Sequence, residues 1–408
     1  MGNVANATRV RLSRLEGDDV SGVTAPVLVV GANIGGLALA AALTDRGVPT
    51  VVLERRRTHP AAKGGLHIWT NGARALRHLG AAEALRESGA PLETIEFGNV
   101  RRKTLFTAPV GRLARVHGDG AFFVPRVDVT AALLSVAPAA AVRFGHRCVG
   151  FGQDEGGVTA HLGDGSSIRG SVLVAADGIE STVRSQLFPD VKPRYVGYQD
   201  WGAVVHLANQ ELTTGSFRIV YGRGARFGLA DLGHGRTYWA ASLRRPAGTT
   251  YNRPTLADIA ETFAGWPDPI GAVIAATEPA DFTGADIREL PPLPSWSDGR
   301  VALLGDAAHA MSPNAGRGAS EAMEDALVLA AELAAVGDLG QGSQVTEALR
   351  RYERRRRAPV EKVVRQSRLI GQLGTLQSAV ACAARDVYVR AIARPVYRQM
   401  RRDFATTD

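Results

Sequence analysis

The sequence predicts an α/β fold in which a parallel sheet carries a second, inserted β-sheet. A short apolar run, Val27–Val30, leads through a glycine turn into an alanine-rich helix. Two later apolar runs, 172–176 and 301–304, also end beside an aspartate and a glycine. Residues 191–290 hold strand-like segments separated by glycine turns. With 408 residues, 45% of them hydrophobic, the chain is long enough for two or three domains.

Composition and charge exclude several classes of protein. Two cysteines, Cys148 and Cys382, are too few for a disulfide framework or a cysteine-based zinc site, and no metal site is predicted. The net charge of +8 comes from arginines scattered along the chain without a recognition module, so no nucleic-acid partner is expected. No run approaches the ~18 apolar residues of a membrane span. We expect a cytoplasmic monomer or homodimer without an integral membrane segment.

The first βαβ unit has the chemistry of a dinucleotide site. Gly31 allows the tight turn after the first strand, and Gly36 lets helix and strand pack closely. The N-terminus of the helix offers free N–H groups to a pyrophosphate. The second strand, 50–54, ends in Glu54, whose carboxylate can accept hydrogen bonds from ribose hydroxyls. The predicted contacts of this unit are Gly31, Ala32, Asn33, Ile34, Gly35, Gly36, Glu54 and Arg55.

Asn33 occupies the second glycine position of this pattern, where the backbone must approach the pyrophosphate. Asparagine is the non-glycine residue that best tolerates positive φ. This favours a tolerated variant with slightly displaced phosphates. The alternative is weakened or lost affinity for the cofactor.

Two further strand ends carry an acid and a glycine. Residues 171–176 lead to Asp177-Gly178, which is followed by Ser181 and Arg184. Residues 300–304 lead to Gly305-Asp306 and then to a glycine-rich loop before a helix, residues 313–319. A strand-end aspartate can bind a polyol hydroxyl, and such a loop presents N–H groups from the N-terminus of a helix.

Together these three motifs resemble the single-component FAD-dependent monooxygenases of the para-hydroxybenzoate hydroxylase type, the class A flavoprotein aromatic hydroxylases. The resemblance runs from about Val27 to about Gly371. It implies a Rossmann-like FAD-binding domain assembled from separate segments, an inserted mixed β-sheet substrate domain over the flavin, and C-terminal helices. It also implies that His309 belongs to the scaffold of the flavin loop and is not a base.

The resemblance implies a role for each motif in binding FAD. Glu54 would contact the adenosine ribose, Asp306 the ribitol or pyrophosphate, and residues 316–319 the pyrimidine edge of the flavin. Asp177-Gly178 would serve FAD packing and the nicotinamide donor, and Arg126 matches an arginine near the FAD. The further implied FAD contacts are Arg126, Asp177, Gly178, Gly305, Asp306, Pro313, Gly316, Gly318 and Ala319.

The implied activity is a monooxygenation. NADH or NADPH would reduce FAD, O₂ would add to give a C4a-hydroperoxide, and one oxygen atom would enter an aromatic or olefinic small molecule of secondary metabolism or catabolism. Hydroxylation and epoxidation both remain open, as do other reactions of the same fold, such as halogenation or reduction of isoprenoid double bonds.

Arg317 departs from the family pattern, which commonly has glutamine between the two glycines of this loop. Its cation could point into solvent, or it could lie near the flavin edge or the substrate and stabilise negative charge. Asn33 and Arg317 together motivate an alternative function, a flavin-fold protein with weakened or lost FAD use that acts as a non-redox enzyme or a binding protein.

Substrate selection is expected on the inner face of the inserted sheet and on the Pro313 loop. The predicted substrate contacts are Trp201, Arg218, Tyr221, Phe227, Tyr238 and Pro313. Tyr221 or Arg226 could deprotonate or anchor a phenol, so Tyr221, Arg226 and Arg317 are the catalytic candidates.

The predicted domain boundaries follow from these motifs. They are a disordered extension (1–25), the first part of the FAD domain (26–190, with short substrate-domain strands around 92–125), the substrate domain (191–290), the second part of the FAD domain (291–370) and C-terminal helices (371–408). The C-terminal stretch has five arginines after residue 389, at 390, 394, 398, 401 and 402. It is interpreted as helices that cover the FAD domain with these arginines in solvent, or as a helix for a membrane surface or a partner.

Overall fold

A computed structural model describes residues 25–59, 63–112, 120–138, 141–207, 212, 214–248 and 254–405. The predicted N-terminal extension lies outside these residues, apart from residue 25. The side chains of four of the C-terminal arginines, at positions 394, 398, 401 and 402, also lie outside the description.

The first sheet is a six-stranded, mainly parallel sheet made from separate stretches of the chain. Its strand order is β18-β19-β12-β1-β2-β8, and β18 alone is antiparallel to its neighbour. The strands are β1 (Val27–Val30), β2 (Thr50–Glu54), β8 (Val142–Phe144), β12 (Val172–Ala175), β18 (Ser297–Asp298) and β19 (Val301–Leu303). The central strands β1, β12 and β19 are fully buried, as their continuous apolar sequences predict.

The second sheet has seven strands and is mainly antiparallel, with the order β17-β13-β16-β15-β14-β5-β6. The strands are β5 (Thr94–Asn99), β6 (Thr104–Ala108), β13 (Arg194–His206), β14 (Ser216–Tyr221), β15 (Ala225–Gly233), β16 (Arg236–Leu243) and β17 (Thr283–Glu289). Only β14 and β5 pair in parallel, which joins the early segment to the later one. We propose on this basis that the chain has two interleaved domains.

Two small three-stranded sheets complete the β-structure of the described residues. One has the order β3-β7-β4 and the other β11-β10-β9. The strands are β3 (Gly65–Ile68), β4 (Ala90–Pro91), β7 (Phe122–Pro125), β9 (Cys148–Asp154), β10 (Gly157–Leu162) and β11 (Ser167–Gly170).

Helices cover the first sheet and part of the second. They are α1 (Ile34–Asp45), α2 (Thr70–His78), α3 (Ala82–Ser88), α4 (Arg126–Val136), α5 (Thr182–Leu187), α6 (Leu256–Thr262), α7 (Ile270–Ala275), α8 (Asp306–His309), α9 (Gly318–Ala334), α10 (Gly342–Gly374) and α11 (Ala379–Ala405), with a 3₁₀ turn at Pro313–Ala315. Helix α9 packs between α1, α2 and α10, so the glycine turn and the flavin-type loop share one core.

The C-terminal helices are arranged differently from the prediction. Helix α10 packs on α9 but continues to Gly374, past the boundary predicted at residue 371. Helix α11 packs against β6, so it covers the second sheet and not the FAD domain. Arg390 is exposed as expected, but Arg385 is buried. None of the described helices is long and apolar enough to cross a membrane.

Gly36 is the tightest point between α1 and β1. A Cβ at this position would lie 1.9 Å from the carbonyl oxygen of Gly31. The backbone atoms there cannot move apart without opening the core of the first sheet, where α1 is buried from Ile34 to Leu43.

We therefore predict that Gly36→Ala lowers the free energy of unfolding by roughly 1–3 kcal/mol, the usual cost of overpacking. Gly271→Ala is the matched control, because its Cβ would meet nothing within 4 Å in helix α7. That control should be neutral or slightly stabilising. Thermal unfolding of both variants measures the difference, and equal melting temperatures would contradict the packing argument.

Candidate functional site

A cavity of about 740 Å³ lies between the first sheet and the inner face of the second. The turn before α1 and the loop before α9 form one end, and the strands of the second sheet form the other. Helices α10 and α11 close one side through Leu369, Leu373, Tyr388 and Ile392. One continuous chamber can therefore hold a nucleotide-bound ring and a second small molecule.

The turn before α1 positions the start of that helix at the cavity. Gly31 has φ +106°, and a Cβ there would lie 2.6 Å from the Ala176 oxygen, so this position requires glycine. Asn33 has φ −101° and ψ −172°, which is ordinary extended backbone. Its Oδ1 accepts a hydrogen bond from the Gly36 N–H at 3.2 Å, and its Nδ2 donates to the Ala176 oxygen.

Asn33 therefore acts as the N-cap of α1. The sequence analysis explained this asparagine by its tolerance of positive φ, and that explanation is wrong because Asn33 has a negative φ. Its side chain folds back onto the protein and takes one of the helix's free N–H groups. Asn33, Ile34 and Gly35 line the cavity. Ala32 is buried in the turn itself.

Glu54 is buried at the end of β2, with 6% of its surface exposed. Its Oε2 accepts from the Ala32 N–H and its Oε1 from the Arg56 N–H, each at 2.9 Å. These bonds fix the carboxylate beside the turn and leave further lone pairs for hydroxyl groups. Arg55 is exposed directly after it.

Asp177 and Gly178 lie behind the cavity wall, which is formed there by Ala176. The Thr182 N–H donates to Asp177 Oδ2 at 2.8 Å, while Oδ1 is buried and has no hydrogen-bond partner among the described residues. Burial raises the pKa of Asp177 against the opposing hydrogen bonds of Ser181 and Thr182. Arg184 is buried and donates to the Ala307 oxygen at 3.3 Å, which ties this motif to α8.

The motif after β19 faces the cavity directly. Gly305 has φ +60°, and Asp306 is exposed at the first position of α8. Both line the cavity, as do Gly318 and Ala319 at the start of α9. A Cβ on Gly318 would meet nothing within 4 Å, so the backbone there is open to an approaching ligand.

The loop 313–318 is held by the segment after β3. Trp69 Nε1 donates to the Ala315 oxygen at 3.0 Å, and the Trp69 N–H donates to Ser320 Oγ at 3.1 Å. Gly316 is left-handed, and a Cβ on it would lie 3.0 Å from His67 Nδ1. Burial, together with the charge of Arg317, lowers the pKa of His67 to about 3, so His67 is neutral near pH 7.

A buried cluster of charges supports this loop from below. Arg356 binds Glu321 at 2.6 Å, Glu324 at 2.8 Å and Asp325 at 2.7 Å, and its side chain is 4% exposed. Asp325 also bonds His309 Nε2 at 2.6 Å. Burial opposes protonation of His309, but the charge and hydrogen bond of Asp325 outweigh it and raise the pKa of His309. His309 is thus part of the scaffold.

Arg317 belongs to the same cluster. It contacts Glu321 Oε1 at 2.6 Å, with 21% of its side chain exposed, and it lines the cavity. The interpretation of a cation pointing freely into solvent is therefore corrected. Glu321 is shared with Arg356, but Arg356 has Glu324 and Asp325 as further partners, so Glu321 still compensates the charge of Arg317.

The second sheet divides the predicted substrate contacts by face. Tyr221, Arg226 and Tyr238 line the cavity, together with Pro313 from the loop. Three other predicted contacts lie elsewhere, which corrects those predictions: they are Trp201, Arg218 and Phe227. Trp201 and Phe227 are buried on the opposite face against α6 and α7, and Arg218 pairs with Glu96 at 3.6 Å.

Sequence reasoning missed several residues of the cavity. Asp200, beside Trp201, lines it, as do Ser242, His67 and Asn314. Asn314 donates to the Tyr198 hydroxyl at 2.7 Å. Strand alternation could have found Asp200, because a residue next to a buried tryptophan faces the other side of its sheet.

The described residues fit FAD. The helix start offers N–H groups, Glu54 is fixed beside it, and Asp306 and the open Gly318 backbone face the same chamber. Arg126 also lines the cavity, and its N–H donates to the Gly64 oxygen at 2.9 Å. Among the same residues, no cluster of His, Cys, Asp and Glu side chains is arranged to hold a metal ion.

Comparison with known proteins gives consistent matches over most of the chain. The family model of the FAD binding domain matches residues 24–367. Aurachin C monooxygenase/isomerase of Stigmatella aurantiaca is 32% identical over 367 residues, which are 89% of this chain and 93% of that protein. The FAD-dependent urate hydroxylase of Klebsiella pneumoniae is 33% identical over 344 residues, covering 84% and 88% respectively.

A solved structure gives the same result for the fold. Klebsiella pneumoniae HpxO in complex with FAD and uric acid superimposes with a TM-score of 0.84 at 29% identity. The match covers 93% of this chain and 97% of that one.

The buried cluster yields a stability prediction. Arg356→Met leaves Glu321, Glu324 and Asp325 without their shared cation, and breaking a buried pair costs about 3–5 kcal/mol. Arg354→Met, two residues away, removes a pair with Glu347 whose side chains are 60% and 47% exposed, so it should cost less than about 1 kcal/mol. Urea unfolding of both variants measures the difference.

The pH dependence of this loss has a defined sign. Burial opposes ionisation of Asp325, but the charges and hydrogen bonds of His309 and Arg356 outweigh it and lower the pKa of Asp325. This carboxylate therefore stabilises the folded wild type above its unfolded pKa of about 4, and the contribution is lost as the pH falls. Because the variant lacks the part that Arg356 supplies, its deficit against wild type should be larger at about pH 7 than at about pH 3. A deficit that is the same at both values would contradict the charge cluster as its cause.

Proposed function

The chain belongs to the FAD-binding domain family and is an FAD-dependent monooxygenase, and from this premise we propose that it uses NADH or NADPH and O₂ to hydroxylate an aromatic small molecule. Bound FAD supplies the electron transfer and the activation of oxygen. The protein binds and orients both molecules. A monomeric or homodimeric state and a cytoplasmic location stay predictions.

The observation that carries the proposal is the shared cavity. The turn before α1, the loop before α9 and the inner face of the second sheet line one chamber. A flavin ring bound at residues 316–319 would therefore share this chamber with Tyr221, Arg226 and Tyr238. A reactive group on the cofactor could then reach a second molecule in the same largely apolar space.

The shape of the sheet favours an aromatic substrate over an alkene chain. On the inner face Gly228 pairs with Ala240, and the ring of Phe217 lies over Gly228, 3.1 Å from where a Cβ of that residue would be. Phe97 and Tyr221 stand at one edge of this face, with ring centroids 6.4 Å apart. Phe97, Phe217 and Tyr221 all line the cavity, and such aromatic side chains stack favourably on a planar ring.

Arg226 is the cation that would anchor the substrate. Its Nε donates to Ser242 Oγ at 2.8 Å, so the guanidinium is held at the cavity wall. A positioned cation favours the phenolate form of a phenol, and an electron-rich ring is the better acceptor of an electrophilic oxygen. Burial raises the pKa of Tyr221, so this side chain is a hydrogen-bonding group and not a base near neutral pH.

Loss of FAD use was the alternative that Asn33 and Arg317 motivated. Asn33 caps α1 in an unstrained conformation, and Arg317 is paired with Glu321. Neither observation favours a disabled site, so the non-redox alternative is not proposed.

The test is an anaerobic titration of the purified protein. Bound FAD should give an absorption band near about 450 nm that bleaches with NADH or NADPH and returns when O₂ is admitted. A protein that takes up FAD but is reduced by neither nucleotide would contradict the proposed electron donor. A protein that never takes up FAD would contradict the proposal as a whole.

Arg226→Met should weaken substrate binding by about tenfold or more, because a hydrogen bond to a charged group is lost. FAD reduction in the absence of substrate should not change. The probes are uric acid and 3-amino-4-hydroxybenzoate, which are named as the substrates of relatives at least 30% identical to this chain, and the readout is the absorbance change of bound FAD. At least one of these probes is expected to bind.

Arg218→Met is the matched control, since Arg218 lies on the opposite face of the same sheet, paired with Glu96. It should leave probe binding unchanged. Equal effects of the two substitutions would contradict the assignment of faces.

A further inference from the structure

A row of polar side chains crosses the inner face of the second sheet. Strand register places Asp200 opposite Ser242, Ser242 opposite Arg226, and Arg226 opposite Tyr221. Paired residues on neighbouring strands lie on the same face, and all four line the cavity. The row therefore forms one polar edge beside the pair of Gly228 and Ala240.

Ser242 links the two charged members of this row. Its hydroxyl accepts a hydrogen bond from Arg226 Nε at 2.8 Å, and Ser242 lies directly opposite Asp200 in the strand register. Side chains that face each other on paired strands lie about 5 Å apart. An acceptor and a donor thus face the cavity at neighbouring positions.

Asp200 has hydrogen-bonding capacity that the protein does not use. Its Oδ1 is buried and accepts no hydrogen bond from the described residues. Burial raises the pKa of Asp200, while the charge of Arg226 and the bond from Ser242 oppose the rise. The charge of Asp200 also raises the pKa values of three tyrosines, after the larger effect of their burial; they are Tyr195, Tyr198 and Tyr238.

The position of Asp200 distinguishes it from the other carboxylates of this kind. Among the described residues, Asp177 and Glu289 also have one buried oxygen without a hydrogen-bond partner, but neither lines the cavity. Asp200 lies in the wall of the chamber, on the same face of the sheet as Arg226. An unpaired carboxylate oxygen in this position is suited to accept a hydrogen bond from a ligand.

We propose that Asp200 and Arg226 recognise together a ring edge that carries an N–H or O–H donor beside a carbonyl or oxyanion acceptor. Asp200 accepts from the donor, Arg226 donates to the acceptor, and the ring lies against the inner face of the second sheet. The substrate class is a planar lactam or an aromatic ring with adjacent donor and acceptor groups. This inference rests on the proposed function and narrows its substrate.

The test compares two probes in the FAD-loaded protein, oxindole and N-methyloxindole, which differ in the single lactam N–H. Binding is followed by the absorbance change of the flavin. Wild type should bind oxindole about tenfold or more tightly than the methylated probe, as expected for a hydrogen bond to a charged acceptor. Asp200→Leu, of similar size but without an acceptor, should bind the two equally.

A second variant covers the case in which the leucine substitution disturbs folding. In wild type, oxindole affinity should fall as the pH drops through the raised pKa of Asp200, because only the carboxylate accepts strongly. In Asp200→Asn the affinity should not change over the same pH range.

Asp154→Asn is the matched control, since Asp154 is an exposed carboxylate paired with Arg169 on a small separate sheet. It should behave as wild type does.

Three results would overturn the inference: equal binding of the two probes by wild type, no binding of either, or a preference retained by both Asp200 variants. FAD content and reduction by NADH or NADPH are measured in the same samples. If these stay intact while the probe preference is absent, the substrate edge is wrong and the proposed function stands. If they fail in wild type, the proposed function fails.

Discussion

Three carboxylates from α9 converge on the guanidinium of Arg356 in the interior of the protein. Through Asp325 this cluster reaches His309 and the Gly305 N–H, and through Glu321 it reaches Arg317 and Asn71. The strand-end motif, the loop before α9 and the segment after β3 are therefore connected by one set of buried ion pairs. A buried charge without a partner is costly, so these three pieces must assemble together.

The substrate half of the cavity depends on a different constraint, the two-residue period of β-strands. On β15 and β16 each residue that lines the cavity alternates with one that packs against α6 and α7. The same alternation that buries Trp239 exposes Tyr238 to the chamber. The strand register then places the polar side chains of neighbouring strands in one row. The backbone pairing that holds the sheet together therefore also forms the proposed recognition edge.

The sequence alone predicts the FAD-binding end of the cavity well, because the motifs that form it are made of residues close together in the sequence. The turn at Gly31, the close contact at Gly36 and the acid at Glu54 each follow from neighbouring residues. Alternation along a strand separates Tyr221 from Arg218, but it cannot say which of them faces the cavity, since that depends on what packs on each side. Three further features could not be predicted because they join residues that are distant in sequence. They are the packing of α11 on β6, the Arg356 cluster and the position of Asp200 beside Arg226.

A crystal structure of the FAD complex tests the central claim most directly, which is that one chamber holds both the cofactor and the substrate. The account predicts the pyrophosphate at the start of α1, the ribose at Glu54, and the flavin ring at Gly316–Ala319 facing Arg226 and Asp200 across the inner face of the second sheet. A flavin ring bound outside this chamber, or one separated from the polar row by protein, would contradict it.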